Sequence, residues 1–236
     1  MDSSFLSGEA RSPEDVGGAP RSRQRQCRTL EGLDLTCMRG ERVLFEHLRF
    51  ALDEGALLRI EGANGSGKSS LLRIICGLMP PAHGEVHWRG QSIGALCEDY
   101  RKHIVYIGHL DALKNDLTAL ENLEISAALA GREIRRDAAQ DALQELGIAQ
   151  CAHVPARMLS QGQRRRLALA RLAISKALPV WLLDEPFTAL DAAAVNATAA
   201  LIGEHVKDGG IAIYTTHQGA AIEAGIQHRI DLGGTC

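Results

Sequence analysis

One stretch, residues 57–77 with the sequence LLRIEGANGSGKSSLLRIICG, constrains the fold of this chain more than any other. A short apolar run, a glycine-rich turn and apolar residues at helical spacing predict a strand, a loop and an amphipathic helix in succession. A helix that opens at about Lys68 presents unpaired backbone N–H groups and its positive dipole end to the loop. A plain glycine-rich turn before an ordinary helix is the alternative, and the strand and helix that flank it favour a phosphate-binding loop.

The residues of this loop are candidates for binding a nucleoside triphosphate. Glycine lets several backbone N–H groups approach the phosphates without obstruction by side chains. Lys68 supplies a positive charge for the β- and γ-phosphates, and the hydroxyl of Ser69 is a candidate ligand of Mg²⁺. The candidate binding residues are Gly62, Ala63, Asn64, Gly65, Ser66, Gly67, Lys68, Ser69 and Ser70.

Two carboxylates follow an apolar run at residues 180–183. A strand that ends there places both carboxylates at the carboxyl edge of a sheet, beside the phosphate loop. Asp184 suits Mg²⁺, through the water shell of the ion, and Glu185 can turn towards the γ-phosphate and polarise an attacking water. A charged strand end without function is the alternative, and the phosphate loop upstream argues against it.

Length, cysteines and charge limit the class of protein. A chain of 236 residues suits one large domain. Its six cysteines include no CxxC pair and no zinc-binding spacing, so they are interpreted as small buried apolar residues in a reduced compartment. The net charge of −3 argues against general nucleic-acid binding, and no uncharged apolar run is long enough to predict a membrane-spanning helix.

The first half of the chain divides into three parts. Residues 1–27 are rich in small, polar and charged residues, so we expect a disordered N-terminal extension. Alternating apolar residues between positions 30 and 93 predict antiparallel strands around the phosphate loop. Pro80, Pro81 and Gly84 are expected to end the helix of this loop and to turn the chain into the next strand. Residues 104–107 are a buried strand candidate.

The second half begins with helices and returns to strands. Thr118 and Glu121 have the spacing of a capping box, and a second helix is predicted over residues 134–146, with a charged cluster at residues 132–137 on a solvated face. Ser160 and Gln163 form another capping box before a helix expected over residues 164–177. Strands at residues 180–183, 211–215 and 229–232, separated by helices, predict a parallel sheet. The predicted fold is an α/β nucleotide-binding core.

Residues 159–172, LSQGQRRRLALARL, resemble the signature sequence of ATP-binding cassette (ABC) ATPases, with Gln161 where glycine is commonest. The phosphate loop, the Asp184–Glu185 pair, a D-loop at residues 189–191 and Thr216–His217 follow the order of that family. The resemblance covers about residues 30–232. It implies a P-loop NTPase core of ABC type at residues 28–236, with an antiparallel β-subdomain and a helical subdomain at about residues 110–165, and with ATP and Mg²⁺ as cofactors.

The resemblance also implies a dimer, because each motif occurs once and two ABC cassettes enclose ATP between them; we expect a homodimer, with a heterodimer of two cassettes as the alternative. Ser160, Gly162 and Gln163 of one cassette would face the γ-phosphate bound by the other. His217 would contact the γ-phosphate and act with Glu185 in catalysis, while Asp191 would couple the two sites. Without the other motifs, His217 would be interpreted as a structural histidine and Asp191 as the cap of a helix.

Two positions depart from the usual pattern of the family. His109 follows residues 104–108, where glutamine is usual as a contact of Mg²⁺ and water. Arg39 lies near the position where an aromatic side chain usually stacks on adenine, and a guanidinium plane can also stack on a base.

Both departures, together with CMRGERVLFEHLRF, GEVHWRG and YIGHLDALKNDLTALENL, closely resemble the ATP-binding subunits of the Ccm haem exporters of c-type cytochrome maturation. This similarity implies a peripheral subunit at the cytoplasmic face of the inner membrane, bound to integral membrane subunits of the Ccm complex. Residues 113–129 would pass nucleotide-driven motion to those subunits. The chain has no CxxCH haem-attachment motif, so haem is expected to be handled by the partners.

Three alternatives remain open at this point. The chain could be the ATPase subunit of another ABC importer or exporter, or a nucleotide switch without catalysis, which Glu185 and His217 argue against. A soluble ABC ATPase of DNA repair or translation is disfavoured, because such proteins are expected to have coiled-coil arms or tandem cassettes.

Overall fold

The computed structural model describes residues 29–96, 98–216 and 222–233. Strands and helices alternate along most of this part of the chain. The strands are β1 (Leu30–Arg39), β2 (Arg42–Leu52), β3 (Ala56–Glu61), β4 (His83–Trp88), β5 (Gln91–Ser92), β6 (Ile104–Ile107), β7 (Val180–Leu183), β8 (Ile211–Thr215) and β9 (Ile226–Asp231). The helices are α1 (Lys68–Ile75), α2 (Ile93–Leu96), α3 (Glu98–Arg101), α4 (Ala119–Leu129), α5 (Arg136–Glu145), α6 (Gln161–Ala173) and α7 (Ala192–Lys207).

The strands form two sheets of different kinds. The first is antiparallel, with the order β2-β1-β4-β5, and the second has the order β6-β7-β8-β3-β9 with only parallel pairs. Parallel neighbours require helical crossovers, which explains why helices separate most strands of the second sheet. The predicted α/β class, with an antiparallel β-piece and a parallel sheet, is confirmed.

The parallel sheet divides the apolar interior into two clusters. Trp181 and Leu183 of β7 belong to the cluster that includes α4 to α7, whereas Val180 and Leu182 belong to the cluster that includes α1 and the antiparallel sheet. Successive side chains of a strand point to opposite faces, so each residue of β7 serves one of the two layers. Both faces of the sheet are therefore covered, as parallel sheets require.

The helix that follows the phosphate loop ends earlier than the prolines predict. Residue Gly77 has φ +69° and donates its N–H to the carbonyl of Ile74, while the N–H of Leu78 reaches the carbonyl of Arg73. These two bonds form a Schellman motif, which ends α1 at Ile75. The prediction that Pro80 and Pro81 end the helix is therefore wrong, because glycine stops it first.

Helix α6 spans Gln161–Ala173, so the predicted bounds of residues 164–177 are also wrong. The capping box of Ser160 and Gln163 is present and starts the helix directly after Ser160. At the other end Arg132 donates hydrogen bonds to the carbonyl of Ile174 at 2.9 Å and to the hydroxyl of Ser175 at 3.0 Å. Arg132 thus caps α6 and does not lie on a solvated face with the rest of its charged cluster.

Other predictions have mixed outcomes. The capping box of Thr118 and Glu121 starts α4, and α5 lies within the range predicted for the second helix. Cys37, Cys76 and Cys151 are buried and free, as interpreted, and the remaining cysteines lie outside the described residues. The prediction of disorder for residues 1–27 also lies outside them. No helix in the described ranges is long and apolar enough to cross a membrane.

Candidate nucleotide-binding site

The phosphate loop joins β3 to α1 and begins the helix without a side-chain cap. The N-cap residue is Gly67, in left-handed conformation with φ +105°, and the first turn contains no acidic residue. The backbone N–H groups at the start of α1 are therefore not occupied by a cap from their own chain. Such N–H groups and the positive end of the helix dipole attract anions.

The glycines of the loop are required by conformation as well as by space. Gly62, Gly65 and Gly67 all have positive φ, at +143°, +81° and +105°. A Cβ on Gly62 would lie 2.6 Å from Ser66 Oγ, and one on Gly67 would lie 3.1 Å from Leu44 Cβ. Around Gly65 there is open space, so its glycine is explained by backbone conformation alone.

Lys68 is held inside the loop by two of the loop's own carbonyl groups. Its Nζ donates to the carbonyl of Gly62 at 2.8 Å and to that of Ala63 at 3.0 Å, and the residue is 6% exposed. Burial lowers the pKa of Lys68, while the nearby carboxylates of Glu185 and Asp184 raise it. The ammonium group is thus fixed at the loop, where it can meet the oxygens of a phosphate.

A cavity of about 320 Å³ opens in front of the loop. It brings together residues from the loop, from α1, from the antiparallel sheet and from the end of β7, namely Arg39, Leu44, Asn64, Gly65, Gly67, Lys68, Ser69, Ser70 and Glu185. Arg39 therefore lies beside the phosphate loop. A larger cavity of about 380 Å³, lined mainly by apolar residues between Ile74 and Arg101, does not include any residue of the loop.

Thr215, at the end of β8, holds the two carboxylate residues that follow β7. Asp184 is 2% exposed, and its Oδ1 accepts a hydrogen bond of 2.8 Å from the hydroxyl of Thr215. The same hydroxyl accepts the N–H of Glu185 at 2.8 Å. Glu185 has a left-handed backbone with φ +50°, an uncommon conformation for a residue with a side chain. Glu185 adopts this conformation directly after β7, and it lines the cavity.

The residues present fit a Mg–nucleotide complex. Ser69 lines the cavity, Asp184 is a buried carboxylate close enough to influence the pKa of Lys68, and the buried Ser66 Oγ has no protein partner among the described residues. Within the described ranges no three His, Cys, Asp or Glu side chains form a metal-binding group. A Mg²⁺ ion that keeps water and phosphate oxygens as ligands needs only one or two protein oxygens.

The signature residues lie at the N-terminus of α6 and next to the D-loop. Ser160 Oγ accepts the N–H of Gln163 at 3.3 Å, and Gln163 Oε1 accepts the N–H of Ser160 at 2.9 Å. A Cβ on Gly162 would lie 3.1 Å from the carbonyl oxygen of Ala189. Asp191 caps α7 through the N–H of Ala194 at 2.9 Å and pairs with Arg166 at 2.5 Å.

The structure does not bring all predicted site residues together. The lining of the cavity includes neither His109, which is exposed, nor Ser160, Gly162, Gln163 and Asp191. His217 lies outside the described residues. The sequence interpretation missed Thr215. The only indication of its role in the sequence is its position at the carboxyl end of a buried strand. The interpretation also missed Arg165, which is 5% exposed and contacts the backbone of Asp184 and Glu185.

Comparison with known proteins decides the family. Residues 45–188 match the family described as ABC transporter. The chain belongs to this family. Membership implies that this cassette binds and hydrolyses ATP. The fold is also that of solved cassettes: the dimeric structure of MJ0796 bound to ADP and Pi has a TM-score of 0.71 and 28% identity, covering 80% of this chain and 88% of that chain.

Curated relatives match the cassette over almost their whole length. The cytochrome c biogenesis ATP-binding export protein CcmA of Nitrosospira multiformis is 49% identical over 204 residues, which are 86% of this chain and 98% of the relative. The protein of the same name from Dechloromonas aromatica is 50% identical over 204 residues, 86% of this chain and 100% of the relative. The chain is thus a CcmA-like ABC ATP-binding protein.

Proposed function

We propose that this cassette is the ATP-hydrolysing subunit of a membrane ABC complex that exports haem or releases its haem-loaded chaperone in c-type cytochrome biogenesis. The observation that carries the proposal is the cavity that gathers Lys68, Ser69 and Glu185. This cavity lies in a chain that is 49% and 50% identical in sequence to two proteins named for cytochrome c biogenesis. The cavity supports the ATPase chemistry, and the relatives support the choice of pathway.

In this proposal residues 62–70 bind the phosphates of ATP. The N–H groups at the start of α1 and the ammonium group of Lys68 stabilise the negative charge of the β- and γ-phosphates. Arg39, on the wall of the cavity, stacks its guanidinium plane on the adenine ring. Ser69 and Asp184 would hold Mg²⁺, Asp184 through the water shell of the ion, and the ion would supply positive charge to the phosphate oxygens.

Hydrolysis depends on Glu185 and His217. Glu185 polarises the water that attacks the γ-phosphorus, and His217 contacts the γ-phosphate oxygens. His109, which lies two residues after β6 and outside the lining of the cavity, would contact the same site. The left-handed backbone of Glu185 and the bond from its N–H to Thr215 support a fixed position for this carboxylate.

A second copy of the cassette completes each site. Ser160, Gly162 and Gln163 lie at the exposed N-terminus of α6, where the dipole and N–H groups can face a γ-phosphate bound by the other copy. Asp191, which pairs with Arg166 of α6, couples the two sites. Two structures of the similar cassette MJ0796 are dimeric, which supports the pairing of two copies.

Integral membrane subunits bind the surface formed by α4 and the segment before it. Leu110 and Leu129 are 82% and 79% exposed, and Ile125 is 38% exposed. Leu110 directly follows His109, and the chain continues from there into α4, so a change at the γ-phosphate can reach this surface. The cassette is then a peripheral protein at the cytoplasmic face of the inner membrane, haem is handled by its partners, and nucleic acid is not a ligand.

Affinity purification of the tagged chain from membranes tests the proposal. Mass spectrometry should identify small proteins with several membrane spans, and the absorption spectrum should show a haem-bearing chaperone. ATP hydrolysis by the same preparation is measured in parallel. Recovery only from the soluble fraction would contradict the membrane complex, and a haem-free complex with other membrane proteins would indicate another ABC importer or exporter.

A further inference from the structure

The guanidinium group of Arg165 lies at a junction of three parts of the cassette. Nη2 donates to the carbonyl oxygens of Asp184 and Glu185, both at 2.8 Å. Nη1 donates to the carbonyl oxygen of Gly108 at 2.9 Å and reaches Asp111 Oδ1 at 3.4 Å. One side chain of α6 therefore joins the end of β7 to the segment that begins the helical region.

The backbone of Glu185 is held from both sides. Its N–H donates to Thr215 Oγ1 at 2.8 Å, and its carbonyl accepts from Arg165 at 2.8 Å. The φ angle of +50° is unfavourable for a residue with a Cβ, because the left-handed region brings the Cβ close to the following carbonyl oxygen. Such a conformation persists only where surrounding contacts determine it, and residues of this kind cluster at functional sites.

A need for stability alone does not explain an arginine at this position. Arg165 is 5% exposed, and its Nε is buried without a hydrogen-bond partner among the described residues. Burial of a charge is costly, and an apolar side chain of similar volume often replaces a buried ion at no loss. What an apolar side chain cannot supply is a rigid fork of donors that meets three carbonyl groups at once.

We propose that Arg165 is a positioning residue for ATP hydrolysis, which holds Glu185 in its left-handed conformation and ties it to Gly108, the residue before His109. The inference rests on the proposed ATPase function. It adds a residue that does not line the nucleotide cavity and acts through the backbone of two residues that belong to the site. Loss of the fork lets the carboxylate of Glu185 leave the position in which it faces the attacking water.

Steady-state kinetics of the complex purified from membranes through the tagged full-length chain test this role. Arg165→Met should lower kcat by about 10- to 100-fold, because a shift of about 1 Å in a catalytic group can cost a factor of this size. The KM for ATP and the affinity for ADP should change less than about threefold, since the phosphate loop is intact. Arg165→Lys keeps the charge but not the fork, so it should recover only part of kcat.

Arg132→Met is the matched control. Arg132 also donates its two Nη groups to groups at a helix end, and its Nε is likewise buried without a partner among the described residues, but its acceptors are Ile174 and Ser175, away from the nucleotide cavity. Arg132 is half-buried, and a general effect of losing an arginine that donates to several protein groups would lower kcat in both variants. Positioning predicts that only the substitution of Arg165 does so.

A double substitution separates positioning from independent catalysis. If Arg165 acts through Glu185, then Arg165→Met should change the single-turnover rate of Glu185→Gln by less than about threefold. An undiminished effect in that background would overturn the proposal, as would a normal kcat in Arg165→Met or an equal loss in Arg132→Met.

If Arg165→Met does not fold, the Arg165→Lys variant provides the test, because a kcat equal to the parent's would contradict the need for the fork. A parent complex that does not hydrolyse ATP would instead refute the proposed function.

Discussion

The N-termini of α1 and α6 are built from the same backbone chemistry, but they are completed in different ways. Gly67 gives α1 no side-chain cap, and the helix opens into the nucleotide cavity. Ser160 and Gln163 cap α6 reciprocally within the chain. The first terminus leaves its donors for a ligand, whereas the second satisfies two of them internally.

This difference affects the stability of the two helices. A capping residue contributes about 1 kcal/mol to a helix, so α6 gains stability before any ligand arrives. Its bond from the N–H of Gln163 to Ser160 Oγ is 3.3 Å long, at the weak end of the range. In the proposed dimer, a phosphate presented by a second cassette would compete with this bond.

The largest effect is expected from Lys68→Ala, which removes the charge at the open terminus. ATP hydrolysis should fall by at least about 100-fold, the size of loss seen when a donor to developing charge is removed. Binding of a fluorescent ATP analogue should weaken as well. Lys176→Ala is the control, because Lys176 pairs with Glu145 on the surface. Undiminished hydrolysis by Lys68→Ala would contradict the assignment of the α1 terminus as the phosphate site.

Glu185→Gln should separate binding from hydrolysis. The amide keeps the size of the side chain but cannot accept a proton from water as the carboxylate does, so turnover should fall by about 100-fold. ATP should stay bound, and dimers should accumulate. Size-exclusion chromatography with analysis of the bound nucleotide measures both results. Brisk turnover by this variant would contradict the catalytic role of Glu185. Monomers with bound ATP would contradict the proposal that α6 of a second copy completes the site.

Sequence reasoning succeeded where the pattern is local. The loop between β3 and α1 and the two capping boxes follow from spacing within a few residues, and the parallel sheet follows from the alternation of strands and helices; the structure has all of them. Helix ends were less accurate. Gly77 stops α1 before the prolines, and Arg132 meets the end of α6 from 42 residues upstream, which no local pattern indicates.

The contacts that hold the site could not be predicted for the same reason. Thr215 reaches Asp184 across 31 positions of the chain, and Arg165 reaches Gly108 across 57. Three consecutive arginines follow Gln163, and nothing in the sequence predicts that they make different contacts. In the structure Arg165 points to the carbonyls of the site, while Arg166 pairs with Asp191. Only the packing of α6 against the sheet distinguishes them.

Ser160→Ala should produce a smaller effect that tests the α6 terminus directly. The matched control is Thr118→Ala, which removes the capping hydroxyl of the same kind of box at α4. Both substitutions should lower the free energy of unfolding by about 1 kcal/mol, measured by urea denaturation. Only Ser160→Ala should also lower ATP hydrolysis, by about tenfold, because in the proposed dimer only that hydroxyl would face the second cassette. Equal rates of ATP hydrolysis in the two variants would show that Ser160 acts only as a helix cap.

The smallest effect is expected from Gln161→Gly, which introduces the residue commonest at this position in the family. Gln161 is the first residue of α6 and is exposed, so its side chain has little packing to lose. Glycine lowers helix stability by less than about 1 kcal/mol, and the backbone N–H that could meet a phosphate remains. Hydrolysis should therefore stay within about twofold of the parent, with Gln161→Ala as the control for helix propensity. A loss of several-fold in both variants would show that the amide side chain of Gln161 itself takes part in the contact between cassettes, and a loss in the glycine variant alone would show that the α6 terminus must stay rigid to be used.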